Sequence, residues 1–241
     1  MSFEKSLQRN LRDYLARRTV GRPKLKLAIT EIIAALPDTV IFGGMIREFA
    51  LGNARGFVSD IDLVTTASQA DIYLVVSRYN AIRNKFGGFR FVIEKQRFDI
   101  WSLTDTWAFK NGFASGVEFA DLLATSFFNV DAACYHVGRN QLLCLPGYDD
   151  WVVKRILDIN LLQNPQPQSM ARRAIVLIQT RQLGVTRRLA EYIASYIGRE
   201  TLTWTDQLLM SKLGKFLTSD CQTEFRFYPQ AELVGRVTGR Q

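Results

Sequence analysis

Two aspartates interrupt an otherwise apolar strand in the segment VSDIDLV, at residues 58–64. Residues i and i+2 of a strand point to the same face, so Asp60 and Asp62 project together while Ile61 and Leu63 point into the core. Their Cα atoms lie about 7 Å apart, and carboxylates at that spacing repel each other unless a cation lies between them. Carboxylate oxygens suit Mg²⁺, with Mn²⁺ as the alternative. We therefore predict that Asp60 and Asp62 bind a divalent metal ion.

A third carboxylate follows on a later predicted strand. In the segment RFDIW, Asp99 lies between the apolar residues Phe98 and Ile100, where a buried strand would not otherwise tolerate a charge. Phosphoryl transfer with two metal ions favours a third carboxylate from a neighbouring strand, so we predict that Asp99 completes the metal site. The alternative is that Asp99 is the ion-pair partner of Arg90 or Arg97.

A glycine pair lies upstream, where a predicted strand in DTVIFGG runs into a short predicted helix in MIREFALG. Gly43 and Gly44 would let backbone N–H groups approach a triphosphate, whose charge the helix N-terminus also favours. The alternative is a turn without a ligand. Arg47, one turn into the helix, would add a phosphate contact, or it would form an ion pair with Glu48 or Asp60 instead. Together these features predict a site that holds a nucleoside triphosphate (NTP) on metal.

These segments resemble the nucleotidyltransferase superfamily that includes DNA polymerase β. Within it they are closest to the head domain of class II CCA-adding enzymes and bacterial poly(A) polymerases. GGMIREFALG is similar to that family's G-G-x-V-R-D-x-L-L-G, SDIDLVT to its D-I-D strand, and RRAIVLIQTRQLGV to its R-x-x-R-A-x-R-F-A-x-x-L-G-F helix. The resemblance covers roughly residues 38–185. It implies an α+β fold, with a nucleotidyltransferase head built on a mixed five-stranded sheet and followed by an α-helical domain.

Two motifs depart from the family pattern. Where the family has R-R-D-F-T-I-N-A-L-A-Y, this chain has TSFFNVDAACY, so the Arg-Arg-Asp motif that handles the incoming nucleotide is gone. Where the family has E-D-x-x-R, this chain has QSMAR, which keeps only Arg172. The resemblance therefore implies a nucleotide contact for Arg172, and the alternative is that it lies on an exposed helix face.

The remaining periodicity predicts the organisation of the chain. Helical spacing of apolar residues predicts helices at residues 3–18 and 25–36, a helix capped by Ser68 that reaches about Asn84, and another in WVVKRILDINLL. Two β-rich runs predict a hairpin around Lys95 and Gln96, and VDAACYHVGRNQLLCL predicts a second hairpin. From Tyr148 onward the helical period dominates. The predicted segments are N-terminal helices at 1–37, a nucleotidyltransferase head at 38–147 and a helical C-terminal domain at 148–241.

Composition constrains the partners. The 241 residues are 47% hydrophobic, and 31 Lys and Arg against 23 Asp and Glu give a formal net charge of +8, which favours a polyanionic partner such as RNA, DNA or a nucleotide. No apolar run approaches the roughly 20 residues that span a bilayer. The N-terminus carries acidic residues and no signal-peptide core. We expect a cytoplasmic protein without a membrane partner.

The resemblance implies a reaction in which a nucleoside monophosphate passes from an NTP to a hydroxyl acceptor and pyrophosphate is released. Asp60 and Asp62 would hold both metal ions, and Asp99 would bind the catalytic metal and help to deprotonate the acceptor. The expected acceptor is RNA, with the 3′ end of tRNA as the first candidate by resemblance. One alternative is an enzyme that modifies a small molecule or a protein. Another is an inactive module that binds nucleotide or RNA.

Overall fold

The structure, a computed structural model, describes residues 2–18, 20, 23–52, 57, 59–84, 87–114, 116–197, 203–219 and 223–228. The described residues divide into two compact units. One comprises those within 1–126 and 130–149, and the other those within 127–129 and 150–241. The division into three segments at residues 37 and 147 stays a prediction.

A mixed sheet of seven strands, in the order β3-β4-β5-β2-β1-β6-β7, forms the centre of the first unit. Neighbouring β2 and β5 are parallel, and every other described neighbour pair is antiparallel. The strands are β1 (Thr39–Phe42), β2 (Ile61–Thr65), β3 (Ile82–Arg83), β4 (Phe89–Ile93), β5 (Gln96–Ser102), β6 (Ala133–His136) and β7 (Gln141–Cys144).

The predicted α+β class and the mixed sheet are confirmed, but the sheet has seven strands instead of five. The edge strand β3 shows why the count was too low. It has two residues, and both side chains are exposed, so no alternation of apolar and polar residues marks it in the sequence.

Both predicted hairpins of the first unit are present, and the turn of the β4–β5 hairpin differs by one residue from the prediction. The turn residues are Glu94 and Lys95, with φ of 45° and 68°. Two-residue turns with both residues in the left-handed region match the twist of a hairpin. Gln96 already pairs with Ile93, so it belongs to β5 and not to the turn.

The helices of the first unit are α1 (Phe3–Arg18), α2 (Pro23–Ala35), α3 (Gly44–Ala50), α4 (Gln69–Val76), α5 (Trp107–Lys110) and α6 (Phe119–Ala124). The predicted N-terminal helix matches α1. The helix predicted to reach Asn84 is shorter: α4 ends at Val76, a single 3₁₀ turn follows, and Asn80 lies in the left-handed region with φ of 55°. Asparagine tolerates that conformation, which ends a helix and turns the chain away. The N-cap prediction is confirmed, because the Ser68 hydroxyl accepts a hydrogen bond from the Asp71 N–H at 3.2 Å.

The two faces of the sheet differ in polarity. On one face, the rings of Phe91 and Phe98 stack with their centroids 5.2 Å apart, and α2 and α4 pack against β4. On the other face, a cluster of buried apolar side chains covers one end of the strands; it consists of Val40, Val64, Leu103, Leu122, Leu123 and Cys134. Polar residues of β2, β4 and β5 lie further along this second face.

The second unit is mainly helical and also contains a small sheet that the sequence did not predict. Its elements are α7 (Tyr148–Lys154, which begins in the first unit), β8 (Ile156–Leu157), α8 (Pro167–Arg181), β9 (Gly184–Thr186), α9 (Arg187–Tyr196), α10 (Trp204–Leu217) and β10 (Glu224–Phe225). The strand order is β10-β9-β8. The helix predicted in WVVKRILDINLL breaks at Arg155, whose φ is 53°. The chain then continues as β8, whose partner β9 lies far along the sequence. Two residues are too few to show a strand period.

Among the described helices, none combines the length and the apolar character that crossing a membrane requires.

Candidate active site

A row of polar side chains crosses the second face of the sheet. Asp62 on β2 is the register partner of Asp99 on β5, and Asp99 is the register partner of Arg90 on β4. On the other side of Asp62, the row ends at Phe42 on β1. Neighbouring strands lie about 5 Å apart, and directly opposed residues point to the same face. The register therefore brings together Asp62 and Asp99, which are far apart in the sequence. Asp60 precedes β2 by one residue and shares the strand parity of Asp62.

Asp99 forms a bidentate ion pair with Arg90. Nε of Arg90 lies 2.9 Å from Oδ1 and 3.2 Å from Oδ2 of Asp99, and Nη2 lies 2.7 Å from Oδ2. The Asp99 side chain is 5% exposed, whereas that of Arg90 is 57% exposed. Of the two roles that the sequence left open for Asp99, the ion pair with Arg90 is the one present in this arrangement.

The field of all three carboxylates acts on Arg90. Its hydrogen bonds to Asp99 and the charge of that carboxylate raise the pKa of the guanidinium, and the charges of Asp60 and Asp62 add to the rise. Arg90 therefore lies in the combined negative field of the three aspartates.

A second arginine contacts Asp60. Nε of Arg97 lies 2.6 Å from Oδ1 of Asp60, and the Arg97 side chain is 61% exposed. The contact is an ion pair without the geometry of a directed hydrogen bond. Oδ1 of Asp60 is buried and has no hydrogen-bond donor among the described residues. A buried carboxylate oxygen without a donor is unusual, because such atoms are normally satisfied.

The three carboxylates fit a divalent metal ion in their chemistry. Hard cations take carboxylate oxygens as ligands, and the buried Oδ1 of Asp60 is an oxygen that such a cation would satisfy. With the side chains as they stand, no three or more His, Cys, Asp or Glu residues in the described part of the chain are grouped to hold a metal ion. The guanidinium groups of Arg90 and Arg97 contact two of these carboxylates. A cation would therefore bind here after at least one guanidinium had moved.

The predicted glycine turn lies beside this row. Gly43 has φ of 73° and ψ of −122°, in a region that strongly favours glycine, and it directly precedes α3. A Cβ added to Gly43 would lie 3.9 Å from Oδ2 of Asp62, and one added to Gly44 would lie 3.4 Å from Nη2 of Arg47. The turn therefore runs next to the Asp62 carboxylate. The predicted contact of Gly43 and Gly44 with phosphate stays a prediction.

Arg47 belongs to a separate cluster of buried charges. Its Nε lies 3.4 Å from Oε1 of Glu48, and its Nη1 donates a hydrogen bond to Oδ1 of Asp131. The side chains of Arg47, Glu48 and Asp131 are 10%, 8% and 10% exposed. Burial acts to lower the pKa of Arg47, but the charges and hydrogen bonds of Asp131 and Glu48 outweigh it and raise the pKa. Of the alternatives for Arg47, the ion pair with Glu48 is present, and the predicted phosphate contact stays a prediction.

Sequence reasoning did not identify Asp131 as a partner of Arg47. The available signal was a single carboxylate in the otherwise apolar run VDAAC, at residues 130–134. Arg172 lies in the second unit, on the exposed face of α8, while the buried face of that helix includes Ala171 and Ile175. Its contact with nucleotide stays a prediction.

Solved structures of tRNA-processing enzymes have a similar fold. The Thermotoga maritima CCA-adding enzyme complexed with tRNA aligns over 80% of this chain and 51% of its own, with a TM-score of 0.56 and 15% identity. A CCA-adding enzyme in complex with CTP aligns over 72% of this chain and 43% of its own, with a TM-score of 0.54 and 16% identity. A CCA-adding enzyme in an apo form aligns over 75% and 44%, with a TM-score of 0.52 and 16% identity.

These comparisons confirm, at the level of the fold, the predicted resemblance to a nucleotidyltransferase head. The chain spans about half the length of the enzymes that it matches, between 43% and 51% in these three cases. No protein-family model matches the sequence, and no curated protein matches it either.

Proposed function

We propose that this protein is a metal-dependent nucleotidyltransferase that transfers a nucleoside monophosphate from an NTP to a hydroxyl of RNA, with a tRNA-like 3′ end as the acceptor. The observation that carries the proposal is the cross-strand row in which Asp62 is the register partner of Asp99, next to the Gly43 turn. A row of neighbouring carboxylates, of which Asp99 is buried, weakens a sheet unless cations compensate it. The fold shared with CCA-adding enzymes supports the same reading.

In this proposal the residues of the chain bind, orient and accept a proton. Asp60 and Asp62 would hold both metal ions, and Asp99 would hold the catalytic one and help to take the proton from the acceptor hydroxyl. The bound cations would lower the pKa of that hydroxyl and neutralise the triphosphate. Backbone N–H groups at Gly43 and Gly44 would orient the β and γ phosphates. Catalysis would then come mainly from positioning and charge neutralisation.

The choice of RNA as acceptor has two supports. The solved structures include a CCA-adding enzyme with tRNA and another with CTP, which are the partners of those proteins. The formal net charge of +8 on this chain favours a polyanionic partner in general. Magnesium is the expected ion, with manganese as the alternative, since both prefer carboxylate ligands.

A second candidate function is a module that binds nucleotide or RNA without turnover. It is favoured by the contacts of Arg90 and Arg97 with Asp99 and Asp60, which compensate the carboxylates without a metal. The absence of the Arg-Arg-Asp motif at residues 125–127 points the same way.

Transfer of labelled nucleotide separates these functions. The full chain is incubated with each α-labelled NTP, Mg²⁺ and total RNA, and the label is expected on RNA. If the label is found on a small molecule or on protein instead, that molecule and not RNA is the acceptor. If the protein binds the nucleotide but transfers no label, the module that binds without turnover is favoured.

Two aspartate variants test the site itself. Asp62→Asn is expected to lower transfer at least about a hundredfold, because it removes a carboxylate that would hold the metal ions at the reacting phosphates. The matched control is Asp105→Asn, which breaks an ion pair with Lys110 elsewhere in the same unit and should leave transfer unchanged. Full activity of an Asp60→Ala variant would remove that residue from the mechanism.

A further inference from the structure

We propose that Arg90 couples metal binding to nucleotide binding: its guanidinium, which contacts Asp99 in the structure, passes to the nucleotide's polyphosphate when a divalent cation binds to Asp99. The inference rests on the proposed function, because it concerns the same carboxylates. The inference adds Arg90 to the site, and it makes the binding of the metal ion depend on the binding of the nucleotide. The three aspartates alone imply neither.

The two partners of this ion pair differ in freedom. The Asp99 side chain is 5% exposed and lies within a strand, so it has little room to move. The Arg90 side chain is 57% exposed, at a position of β4 that faces solvent between buried Phe89 and Phe91. The guanidinium can therefore leave while the carboxylate stays in place. A planar guanidinium binds phosphate oxygens as well as carboxylate oxygens, so a polyphosphate offers it an equivalent partner.

The charge balance makes the exchange conditional. The guanidiniums of Arg90 and Arg97 are the cations that contact Asp99 and Asp60 among the described residues. A divalent cation that entered alone would compete with Arg90 for Asp99 and would leave the guanidinium without an acceptor. A cation that entered with a polyphosphate would supply that acceptor. Each ligand should therefore tighten the binding of the other by the same factor.

Arg97 is expected to contribute less than Arg90. It contacts a single oxygen of Asp60 without directed hydrogen-bond geometry, whereas Arg90 binds both oxygens of Asp99. Bidentate pairs between arginine and carboxylate are the stronger class of charged hydrogen bond. The coupling should therefore depend mainly on the Arg90 side chain.

Manganese binding to the full chain tests this coupling without relying on activity. Free Mn²⁺ is measured by electron paramagnetic resonance, with and without a triphosphate whose α–β bridge is a methylene group, and the Mn²⁺ that the analogue binds by itself, titrated without protein, is subtracted. The unaltered chain should bind Mn²⁺ about tenfold more tightly when the analogue is present. Arg90→Met should bind Mn²⁺ alone about tenfold more tightly than the unaltered chain does, since a charged hydrogen bond no longer competes. In this variant the analogue should raise the affinity for Mn²⁺ by a smaller factor than it does in the unaltered chain.

The matched control is Arg83→Met. Arg83 lies on β3, next to β4, and donates a hydrogen bond to Gln69. Its register partner is Phe89, so it lies on the face of the sheet opposite to Arg90. The variant therefore removes the same charge without touching the row of carboxylates. It should bind Mn²⁺ as the unaltered chain does. Arg90→Lys keeps the charge but not the two-pronged guanidinium, so its affinity for Mn²⁺ should lie between those of the unaltered chain and Arg90→Met. This variant serves as the test if circular dichroism shows that Arg90→Met is unfolded.

The outcomes separate the inference from the function on which it rests. Equal Mn²⁺ affinity of Arg90→Met and the unaltered chain, with the analogue's effect unchanged, would overturn the role of Arg90 and leave the proposed function standing. An absence of Mn²⁺ binding in every variant, with and without the analogue, would overturn both.

Discussion

The first unit contains two clusters of arginine and carboxylate that differ in which partner water reaches. In the Arg47 cluster, all three side chains are buried, at 10% exposure or less. In the Arg90 cluster, the Asp99 carboxylate is buried but the guanidinium is more than half exposed. The same two chemical groups therefore meet in one place as a closed contact and in the other as an open contact.

This difference separates a structural role from an exchangeable one. Removing one member of a closed ion pair leaves a charge that water cannot reach, so breaking the pair strongly destabilises the fold. An open pair contributes little to stability, since water, ions or a ligand replace the lost partner at small cost. Arg47 therefore fixes α3 and the glycine turn that precedes it, while Arg90 is free to change partners.

The largest expected effect is on stability at the closed cluster. Arg47→Met removes the guanidinium that both Asp131 and Glu48 contact, and it should lower the free energy of unfolding by about 3–5 kcal/mol. Urea denaturation followed by circular dichroism measures this. The control is Arg78→Met, which breaks an exposed pair with Glu31 and should change stability by less than about 1 kcal/mol. A loss for Arg47→Met as small as that of the control would mean that the closed cluster does not stabilise the fold.

A smaller effect is expected at the open cluster. Arg90→Met should lower the free energy of unfolding by about 1–3 kcal/mol, because water reaches the guanidinium side of the pair while the buried Asp99 carboxylate loses its hydrogen-bond partner. The same urea titration checks this value against Arg83→Met. A loss as large as that of Arg47→Met would show that Asp99 depends on Arg90 in the folded state, and the distinction between the clusters would fail.

The smallest expected effect is the response to salt. At 1 M NaCl the Debye length falls to about 3 Å, so the stability difference between Arg90→Met and the unaltered chain should shrink, because the salt screens the exposed guanidinium. The difference for Arg47→Met should persist, because buried pairs are screened much less. Urea titrations at low and high salt measure both. Equal salt sensitivity of the two variants would contradict the assignment of one cluster as closed and the other as open.

Local patterns in the sequence predicted much of this architecture. The period of two along SDIDLV set Asp60 and Asp62 on one face, and the serine at position 68 marked the start of α4. Among the elements that escaped prediction are short strands with no local period. Strands β3, β8 and β10 have two residues each, and each forms only because a partner strand is present. The break of the predicted helix at Arg155 belongs to the same class.

By itself, the sequence determined that carboxylates lie on strands and that a glycine turn joins a strand to a short helix at residues 43–44. It also determined that the fold is a mixed sheet with a helical second part. It left open whether Asp99 meets a metal ion or an arginine, and whether Arg47 contacts phosphate or Glu48. Only the tertiary structure decided that Arg90 is opposite Asp99 and that Asp131, 84 residues along the chain, meets Arg47. The physical reason is that strand register and burial are properties of the assembled sheet. They decide which opposite charges come within a few ångströms and which of them remain in contact with water.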